Sequence, residues 1–342
     1  MRMEFKRKLP IPMECKEMYP LSADLAQIVA ERAVQIARIF TGESNKLLLI
    51  IGPCSADRED AVMDYLERPR TVADKVADKI FIVPRIYTNK PRTTGAGYKG
   101  MLHQPDPESA PDMFKGLVMI RQLHMRALAE TGFSAADEML YPENYKYLDD
   151  VLGYSAVGAR SVEDQQHRLT ASAVEGPVGM KNPLSGNISV MLNAISAAQH
   201  SHTFIYRGWE GRSLGNPLAH GIMRGYQDKH GDMHPNYHYE DLMLTARLYA
   251  EAGLKNPAVI VDANHCNSGK DPFQQPYIVK EVLASRERSD DVRRLVKGFM
   301  VESYLEDGNQ PVGGGVYGKS ITDACLGWEK SERLICEIAD LL

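Results

Sequence analysis

The chain has 342 residues, of which 44% are hydrophobic and 25% are charged, and its formal net charge is −5. These values are typical of a soluble globular protein, and the mild negative charge argues against a general nucleic-acid-binding surface. No apolar run approaches the roughly 18 residues of a membrane span, and the basic start lacks the apolar segment of a signal peptide. The five cysteines are scattered without C-x-x-C spacing, which predicts free thiols and a cytoplasmic location.

Residues 1–45 are predicted to form an N-terminal extension with one helix. Residues 1–20 contain three prolines and are expected to be irregular. Ser22 is a suitable N-cap for a helix that stops near Gly42. We expect such an extension to contact a partner subunit or to carry regulation. The apolar face of its helix comprises Leu25, Ile28, Val29, Ile36 and Phe40.

From Lys46 onward, short apolar runs alternate with amphipathic segments that are long enough for helices. Near-continuous apolar strands alternating with helices indicate a parallel sheet that is buried on both faces. Eight such units in about 260 residues match a TIM barrel, so we predict an α/β fold in which residues 46–342 form a (β/α)8 barrel. The eight runs are 46–54, 80–87, 134–140, 154–160, 176–182, 202–208, 258–265 and 298–305.

Polar or reactive side chains follow seven of these eight runs. Active sites of such barrels lie at the carboxyl ends of the strands, so these positions are the candidate catalytic rim. A single one of them is easily explained as a solvated loop residue, but seven at the same edge are not. They are Cys54, Arg85, Glu138, Arg160, Lys181, His265 and Glu302.

One subset of rim residues has the chemistry of metal ligands. Cys54, His265 and Glu302, with Asp323 just after the last run, offer thiolate, imidazole and carboxylate donors. This mixture suits one divalent ion and leaves Mn²⁺, Fe²⁺, Co²⁺ and Zn²⁺ open. A lone cysteine after a strand is more often a small buried hydrophobe, whereas buried carboxylates need a cation or a hydrogen-bond donor.

A second subset is cationic and is centred on the stretch 81–100. Arg85, Lys90, Arg92 and Lys99 lie there without an acidic residue between them, in a loop rich in Pro, Thr and Gly. Such groups suit a phosphorylated small molecule, although a solvated basic loop is the commoner explanation. Further cations elsewhere exceed the needs of one monophosphate and indicate two phosphorylated substrates, or a phosphate and a carboxylate. They are Arg160, Lys181 and Arg224.

A P-loop pattern also occurs near the end of the chain. Gly313, Gly318, Lys319 and Ser320 fit G-x-x-x-x-G-K-S letter for letter. A true P-loop connects a strand directly to a helix, whereas a polar gap separates this pattern from the preceding run. We therefore interpret the match as a coincidence.

Several longer motifs occur in order along nearly the whole chain. They are Gly52-Pro53-Cys54-Ser55, Lys90-Pro91-Arg92-Thr93-Thr94, Gly158-Ala159-Arg160-Ser161, Gln166-His167-Arg168, Gly179-Met180-Lys181-Asn182, Met223-Arg224-Gly225, Asn264-His265, Val301-Glu302-Ser303 and Tyr317-Gly318-Lys319-Ser320-Ile321-Thr322-Asp323. With these motifs the chain resembles the class I, microbial aromatic-pathway form of 3-deoxy-D-arabino-heptulosonate 7-phosphate (DAHP) synthase.

The resemblance implies a metal-dependent condensation of phosphoenolpyruvate with erythrose 4-phosphate, the entry to the shikimate pathway. It implies four metal ligands, namely Cys54, His265, Glu302 and Asp323. It implies that phosphoenolpyruvate is held near Glu138 by Arg85, Lys99, Arg160, Lys181 and Arg224. It implies that the erythrose phosphate is held by Lys90, Arg92 and Thr93. Cys54, Lys90, Glu138 and His265 are the expected catalytic residues, and either Glu138 or His265 could position the attacking water.

Two other functions stay open from the sequence. The chain could be another phosphoenolpyruvate–aldose condensing synthase, although Lys-Pro-Arg-Thr-Thr at 90–94 favours erythrose 4-phosphate. It could also be a catalytically silent regulatory subunit, although such a subunit need not keep all the proposed ligands and cations. A homo-oligomer, either a dimer or a tetramer, is expected on general grounds.

Overall fold

The computed structural model describes residues 2–342, in which the apolar runs become strands and the amphipathic segments become helices. The helices are α1 Pro12–Met18, α2 Ala23–Thr41, α3 Glu59–Ala73, α4 Met113–Thr131, α5 Gln165–Ala171, α6 Ile188–Gln199, α7 Tyr239–Glu251, α8 Gln275–Arg288, α9 Asp290–Leu295 and α10 Trp328–Leu341. The strands are β1 Leu47–Gly52, β2 Ile80–Pro84, β3 Ala135–Glu138, β4 Leu152–Val157, β5 Val178–Lys181, β6 Thr203–Tyr206, β7 Trp209–Arg212, β8 Ala219–Met223, β9 Tyr226–Gln227, β10 Met233–His234, β11 Val259–Asp262 and β12 Val296–Glu302.

Eight of these strands form one parallel sheet that closes on itself. Its order is β2-β1-β12-β11-β8-β5-β4-β3, and a parallel bridge between Arg85 and Ala136 joins the two ends. The amide of Ile86 donates to the carbonyl of Ala136 at 2.9 Å across this seam. Apart from Leu152, which is partly buried, and Lys297, the residues of these eight strands are buried. The predicted (β/α)8 barrel is therefore confirmed.

The sixth barrel strand was predicted wrongly. Residues 202–208 do not enter the barrel, because β6 pairs only with β7 in an antiparallel hairpin whose side chains are exposed or partly buried. The sixth barrel strand is β8, with the sequence AHGIM, which is buried throughout. Its short run contains a histidine and a glycine, so its hydrophobic signal is weaker than that of the hairpin strand TFIY.

The segment before β1 contains two helices, α1 and α2, where one was expected. The predicted helix is α2, with Ser22 Oγ accepting from the amide of Leu25 at 3.3 Å and Gly42 ending the helix at a φ of 81°. Its C-terminal half packs into the barrel interior through Ile36, Ile39 and Phe40. The ring of Phe40 stacks on His220 of β8 with centroids 4.1 Å apart. Because α2 covers the amino ends of the strands, the carboxyl ends are the open mouth.

The P-loop pattern has no P-loop geometry. Ser320 forms an isolated bridge with Asn309, and the next helix, α10, begins only at Trp328. The interpretation of this motif as a coincidence is confirmed. Over residues 2–342, every helix is too short or too polar to cross a bilayer.

Candidate active site

The predicted site residues gather at the carboxyl ends of the eight barrel strands. Glu138, Lys181 and Glu302 are the last residues of β3, β5 and β12. The other candidates lie in the loops that directly follow strands: Cys54 after β1, Arg85, Lys90, Arg92, Thr93 and Lys99 after β2, Arg160 after β4, Arg224 after β8, His265 after β11 and Asp323 after β12. A parallel sheet places all these ends at one edge, which is why residues far apart in sequence meet.

Three of the four proposed metal ligands form one group. The Sγ of Cys54 and a carboxylate oxygen from each of Glu302 and Asp323 lie within 4.8 Å of one another. His265 lies at the margin of this group, with Nε2 3.8 Å from Oε1 of Glu302. One sulfur and two carboxylate donors, which converge from two loops and the end of β12, fit a single first-row divalent ion.

The carboxylates of this group are held in their charged form. Burial raises the pKa of Glu302, but Arg85 and then His265 outweigh burial, so the pKa lies below its usual range. Nη2 of Arg85 donates to Oε1 of Glu302 at 2.8 Å, and both side chains are almost fully buried. Burial likewise raises the pKa of Asp323, but the charges of His265 and Lys90 lower it to about 2. Anionic oxygens are what a divalent cation requires.

Lys90 faces the sulfur of Cys54. Its Nζ donates to Sγ at 2.9 Å, and the Cys54 side chain is fully buried. Burial and then the charge of Glu302 raise the pKa of the Cys54 thiol. Burial lowers the pKa of Lys90, but Cys54 and Glu302 outweigh it, so the pKa is raised and the ammonium stays charged. A cation at this position favours the thiolate that metal binding needs.

A second buried ion pair joins the ends of β3 and β5, which lie on either side of β4. Nζ of Lys181 donates to Oε2 of Glu138 at 2.9 Å, and both residues are buried. Burial raises the pKa of Glu138, but the Lys181 charge and its hydrogen bond outweigh burial, so the pKa is lowered. Gly158 leaves room for this carboxylate, because a Cβ there would lie 2.6 Å from Oε1 of Glu138.

Arg224 is the buried cation with spare hydrogen-bonding capacity. It is 6% exposed, and its Nη1 has no hydrogen-bond partner within residues 2–342. It follows β8, whose neighbour β5 ends at Lys181. A buried guanidinium nitrogen without a partner is costly, and an anionic ligand would satisfy it. The unpartnered nitrogen therefore supports anion binding beside Lys181.

The remaining cations lie at the outer rim and are less tightly positioned. Nε of Arg160 donates to Oγ1 of Thr93 at 2.7 Å, which connects the loops after β2 and β4. Nε of Arg92 donates to the carbonyl of Tyr98 at 2.8 Å. Arg92, Thr93, Lys99 and Arg160 are all exposed. The structure thus brings Arg160 and Thr93 together but leaves Lys99 away from the buried ion pairs.

Several residues that position the site were missed from the sequence. Asp262, the last residue of β11, is fully buried with Oδ2 2.8 Å from Nδ1 of His265. Asn264 donates to Oε2 of Glu302 at 2.6 Å. The side chain of Gln275 donates to the backbone carbonyl of Glu302 at 2.9 Å and accepts from the amide of Glu302 at 2.8 Å. Of these, only Asp262 carried a sequence signal, as an acid three residues before a proposed ligand at a strand end.

Asp137 was missed as well, although it adjoins Glu138. Its Oδ1 accepts from the amides of Thr88 at 2.9 Å and Glu138 at 2.7 Å, and its Oδ2 accepts from the hydroxyl of Thr88. Thr88 stands two residues before Lys90 in the loop after β2. Asp137 therefore ties the loop that carries Lys90 to the strand that carries Glu138.

Comparison with known proteins agrees with this geometry. The model of the DAHP synthetase I family matches residues 21–335. The chain is 36% identical to the Tyr-sensitive phospho-2-dehydro-3-deoxyheptonate aldolase of Salmonella typhimurium, covering 98% of this chain and 94% of that relative. It is 37% identical to the Trp-sensitive enzyme of Enterobacter agglomerans, with 94% and 91% covered. The solved phospho-2-dehydro-3-deoxyheptonate aldolase from Francisella tularensis SCHU S4 superposes with a TM-score of 0.91 at 27% identity, covering 99% and 98%.

Proposed function

Because the chain belongs to the DAHP synthetase I family, we propose that it condenses phosphoenolpyruvate with D-erythrose 4-phosphate and water. The products are 3-deoxy-D-arabino-heptulosonate 7-phosphate and phosphate, so the enzyme is a transferase at the first step of the shikimate pathway. The observation that carries this proposal is the meeting of two features at one barrel mouth. A thiol–carboxylate group with metal-ligand chemistry lies beside buried lysine and arginine side chains that can hold anions.

The proposed metal ligands are Cys54, His265, Glu302 and Asp323, and their donors fit Mn²⁺, Fe²⁺, Co²⁺ or Zn²⁺. A bound ion would supply a Lewis acid that polarises the aldehyde of erythrose 4-phosphate. Lys90 keeps its positive charge beside Cys54 and is placed to donate a hydrogen bond where negative charge develops on that aldehyde oxygen.

Phosphoenolpyruvate is proposed to lie against Lys181 and Arg224, with Arg160 and Lys99 reaching it from the rim. The spare Nη1 of Arg224 would donate to its phosphate or carboxylate. Arg85 is also a predicted ligand of phosphoenolpyruvate, and its Nη2 already donates to Glu302. Fixed cations of this kind orient the substrate and need little reorganisation during the reaction.

The proposed bond changes use both substrates and one water. The methylene carbon of phosphoenolpyruvate attacks the aldehyde carbon, water adds at the enol carbon, and phosphate leaves by cleavage of the C–O bond. Glu138, held ionised by Lys181, is the proposed residue that accepts a hydrogen bond from the attacking water. Lys90, Arg92 and Thr93 are proposed to hold the erythrose phosphate at the outer end of the site.

The test is the loss of the phosphoenolpyruvate ultraviolet absorbance after erythrose 4-phosphate is added. Paired samples contain EDTA alone or EDTA with excess Mn²⁺. We expect loss only in the metal-replete sample. If folded, metal-replete protein consumes no phosphoenolpyruvate, the proposed reaction is wrong. Consumption with arabinose 5-phosphate instead would identify the other aldose synthase, and consumption that ignores EDTA would remove the metal role.

Two single cysteine variants provide the test of the metal site and its matched control. Cys54→Ser should abolish the metal-dependent rate and weaken Mn²⁺ binding measured by calorimetry. Cys336→Ser removes an exposed thiol on α10 and should leave both unchanged. Equal metal binding by the two variants would contradict the role of Cys54.

We further propose that the enzyme acts in the cytoplasm and that residues 1–45 form an extension to a catalytic domain of residues 46–342. The location is supported by the five free cysteines. A homo-oligomer, as a dimer or tetramer, is proposed because Ile205, Trp209 and Leu214 in and beside the β6–β7 hairpin are highly exposed. Light scattering measures the molar mass and hence the number of subunits. A monomer at micromolar concentration would contradict this proposal.

A further inference from the structure

A large cleft lies at the opposite end of the barrel from the candidate active site. Its volume is about 1680 Å³, and it is bounded by the C-terminal end of α2, the amino ends of β1 and β12, and helices α7 to α10. The C-terminal half of α2 packs into the amino end of the barrel. It therefore separates this cleft from the candidate active site at the carboxyl ends of the strands. The condensation proposed above makes no use of it.

The lining of this cleft is predominantly cationic. Seven lysine or arginine residues line it, against four aspartate or glutamate residues. One of those acids, Asp291, is already paired with Arg294 at 2.7 Å. In a chain whose formal net charge is −5, this concentration of positive charge needs an explanation.

Three of these cations form a cluster, which we call the basal cluster: Arg286, Arg293 and Lys297. Arg286 on α8 is half-buried, and its Nε is buried without a hydrogen-bond partner in the part of the chain that the structure describes. Nε of Arg293 donates to the backbone carbonyl of Arg286 at 3.3 Å, and Nη1 of Arg293 lies 3.4 Å from Asp290. Lys297, near the start of β12, is partly buried.

The charges that lower the pKa of Arg286 and of Lys297 come from within the cluster, whereas Asp290 lies beside Arg293. Burial and then the positive charge of Arg293 lower the pKa of Arg286 to about 10. Burial and then the charge of Arg286 lower the pKa of Lys297. Desolvation and like charge both oppose the protonated forms. A bound anion would offset both effects at Arg286 and Lys297.

Structural roles explain two members of the cluster. Arg293 donates to the carbonyls of Arg286 at 3.3 Å and Glu287 at 3.4 Å near the C-terminal end of α8, and it pairs with Asp290. Nζ of Lys297 lies close to the C-terminal end of α2, since a Cβ on Gly42 would be 3.8 Å from it. A cation there complements the helix dipole. These roles leave the half-buried Arg286, whose Nε has no partner within residues 2–342, without a structural explanation.

We propose that this cleft is a second anion site, in which Arg286, Arg293 and Lys297 bind the phosphate group of a small molecule or inorganic phosphate itself. Guanidinium groups match the oxygen geometry of phosphate, and the free Nε of Arg286 supplies a donor that has no other use. The volume exceeds that of one phosphate and accommodates a phosphorylated metabolite. The site does not depend on the proposed reaction.

The test uses inorganic phosphate as the probe and calorimetry as the readout, with chloride at matched ionic strength as the reference. We expect two classes of phosphate binding in the unchanged protein. Arg286→Gln and Lys297→Gln should each weaken phosphate binding in the cleft at least tenfold. Arg224→Gln should weaken only phosphate binding in the candidate active site. Arg333→Gln, which removes an exposed cation of α10 outside the cleft, is the matched control and should change neither class.

Thermal unfolding distinguishes loss of the site from loss of the fold. Without phosphate, Arg286→Gln removes repulsion, so its melting temperature should equal or exceed that of the unchanged protein. With phosphate, the unchanged protein should rise in melting temperature and the variant should not. If the variant is less stable without phosphate and binds phosphate as the unchanged protein does, the cluster serves only the fold and the proposal is wrong.

Discussion

Replacing Arg85 by methionine tests how the centre of the site is stabilised. Arg85 forms an ion pair with Glu302 in which both side chains are at most 1% exposed. Its guanidinium also donates to the carbonyls of Pro53 at 3.1 Å and Cys54 at 3.2 Å. Methionine fills a similar volume but leaves all three acceptors without this donor. The variant therefore isolates the electrostatic contribution of Arg85 from its packing.

The expected loss of stability is large. Removing one partner of a buried ion pair typically costs about 3–5 kcal/mol, because the other charge stays buried without compensation. The two carbonyls belong to the loop that carries Cys54, so that loop should also loosen. We expect the free energy of unfolding, measured by urea denaturation at pH 7.5 without added metal, to fall by about 3–5 kcal/mol.

The loss should depend on pH in a defined direction. Arg85 is the first of the charges that lower the pKa of Glu302 against the effect of burial. In the unchanged protein this carboxylate stabilises the fold above its unfolded pKa of about 4.3, and the contribution disappears as the pH falls through the lower folded pKa. Without Arg85, the pKa of Glu302 should rise. The deficit of Arg85→Met should therefore be largest near neutral pH and shrink towards pH 5, where a protonated Glu302 needs no cation.

Two comparisons make this prediction refutable. Arg126→Met removes an exposed arginine that pairs with Glu130 and should change the unfolding free energy by about 0.5 kcal/mol or less. Arg85→Met/Glu302→Gln removes both charges of the buried pair and should recover part of the loss. If Arg85→Met is no less stable than Arg126→Met, or if its deficit grows as the pH falls, the assignment of this ion pair as a structural element of the site is wrong.

Three further predictions concern the pair of Glu138 and Lys181 and its surroundings. Lys181→Met leaves burial to raise the pKa of Glu138, so the acidic limb of the profile of kcat/KM against pH should move to higher pH; an unmoved limb would remove Glu138 from the chemistry. Gly158→Ala places a Cβ 2.6 Å from Oε1 of Glu138 and should lower kcat on the order of 100-fold through misplacement, which steady-state kinetics would show or contradict. Asp137→Ala leaves the amides of Thr88 and Glu138 without their acceptor. It should lower the free energy of unfolding by about 1–3 kcal/mol for each unpaired amide. A midpoint of urea denaturation equal to that of the unchanged protein would contradict this prediction.

The barrel and its rim were predictable because two signals reinforced each other. Apolar runs marked the strands, and a polar or reactive residue at the end of seven of the eight runs marked the edge where the site would lie. The hairpin was mistaken for a barrel strand because TFIY has the composition of a strand, and hydrophobic composition does not distinguish an exposed hairpin from a buried strand. The true strand, Ala219–Met223, owes its place to packing that only the closed barrel supplies, including the stacking of His220 on Phe40.

The residues that support the site were harder to predict, for a different reason. Asp137, Asn264 and Gln275 act through hydrogen bonds to backbone groups or to other site residues. Their partners lie up to 60 positions away in sequence, so neither periodicity nor spacing reveals them. The same holds for the pairing of Arg85 with Glu302, because from the sequence both were simply rim residues awaiting a ligand.

Arg224 shows why the site could be inferred even where the strand was not. The sequence assigned this arginine to the cationic group, yet the strand that positions it was placed at residues 202–208. In the barrel it directly follows β8, so the eighth barrel strand also has a candidate site residue at or just after its carboxyl end, as the other seven have. Its buried Nη1 has no partner within residues 2–342, whereas Nε and Nη2 of Arg85 donate to Pro53, Cys54 and Glu302 and its Nη1 contacts the sulfur of Met300. Of the two buried arginines, Arg224 therefore has a donor that the protein leaves unused, and Arg85 holds Glu302 in place while it stays a predicted ligand of phosphoenolpyruvate.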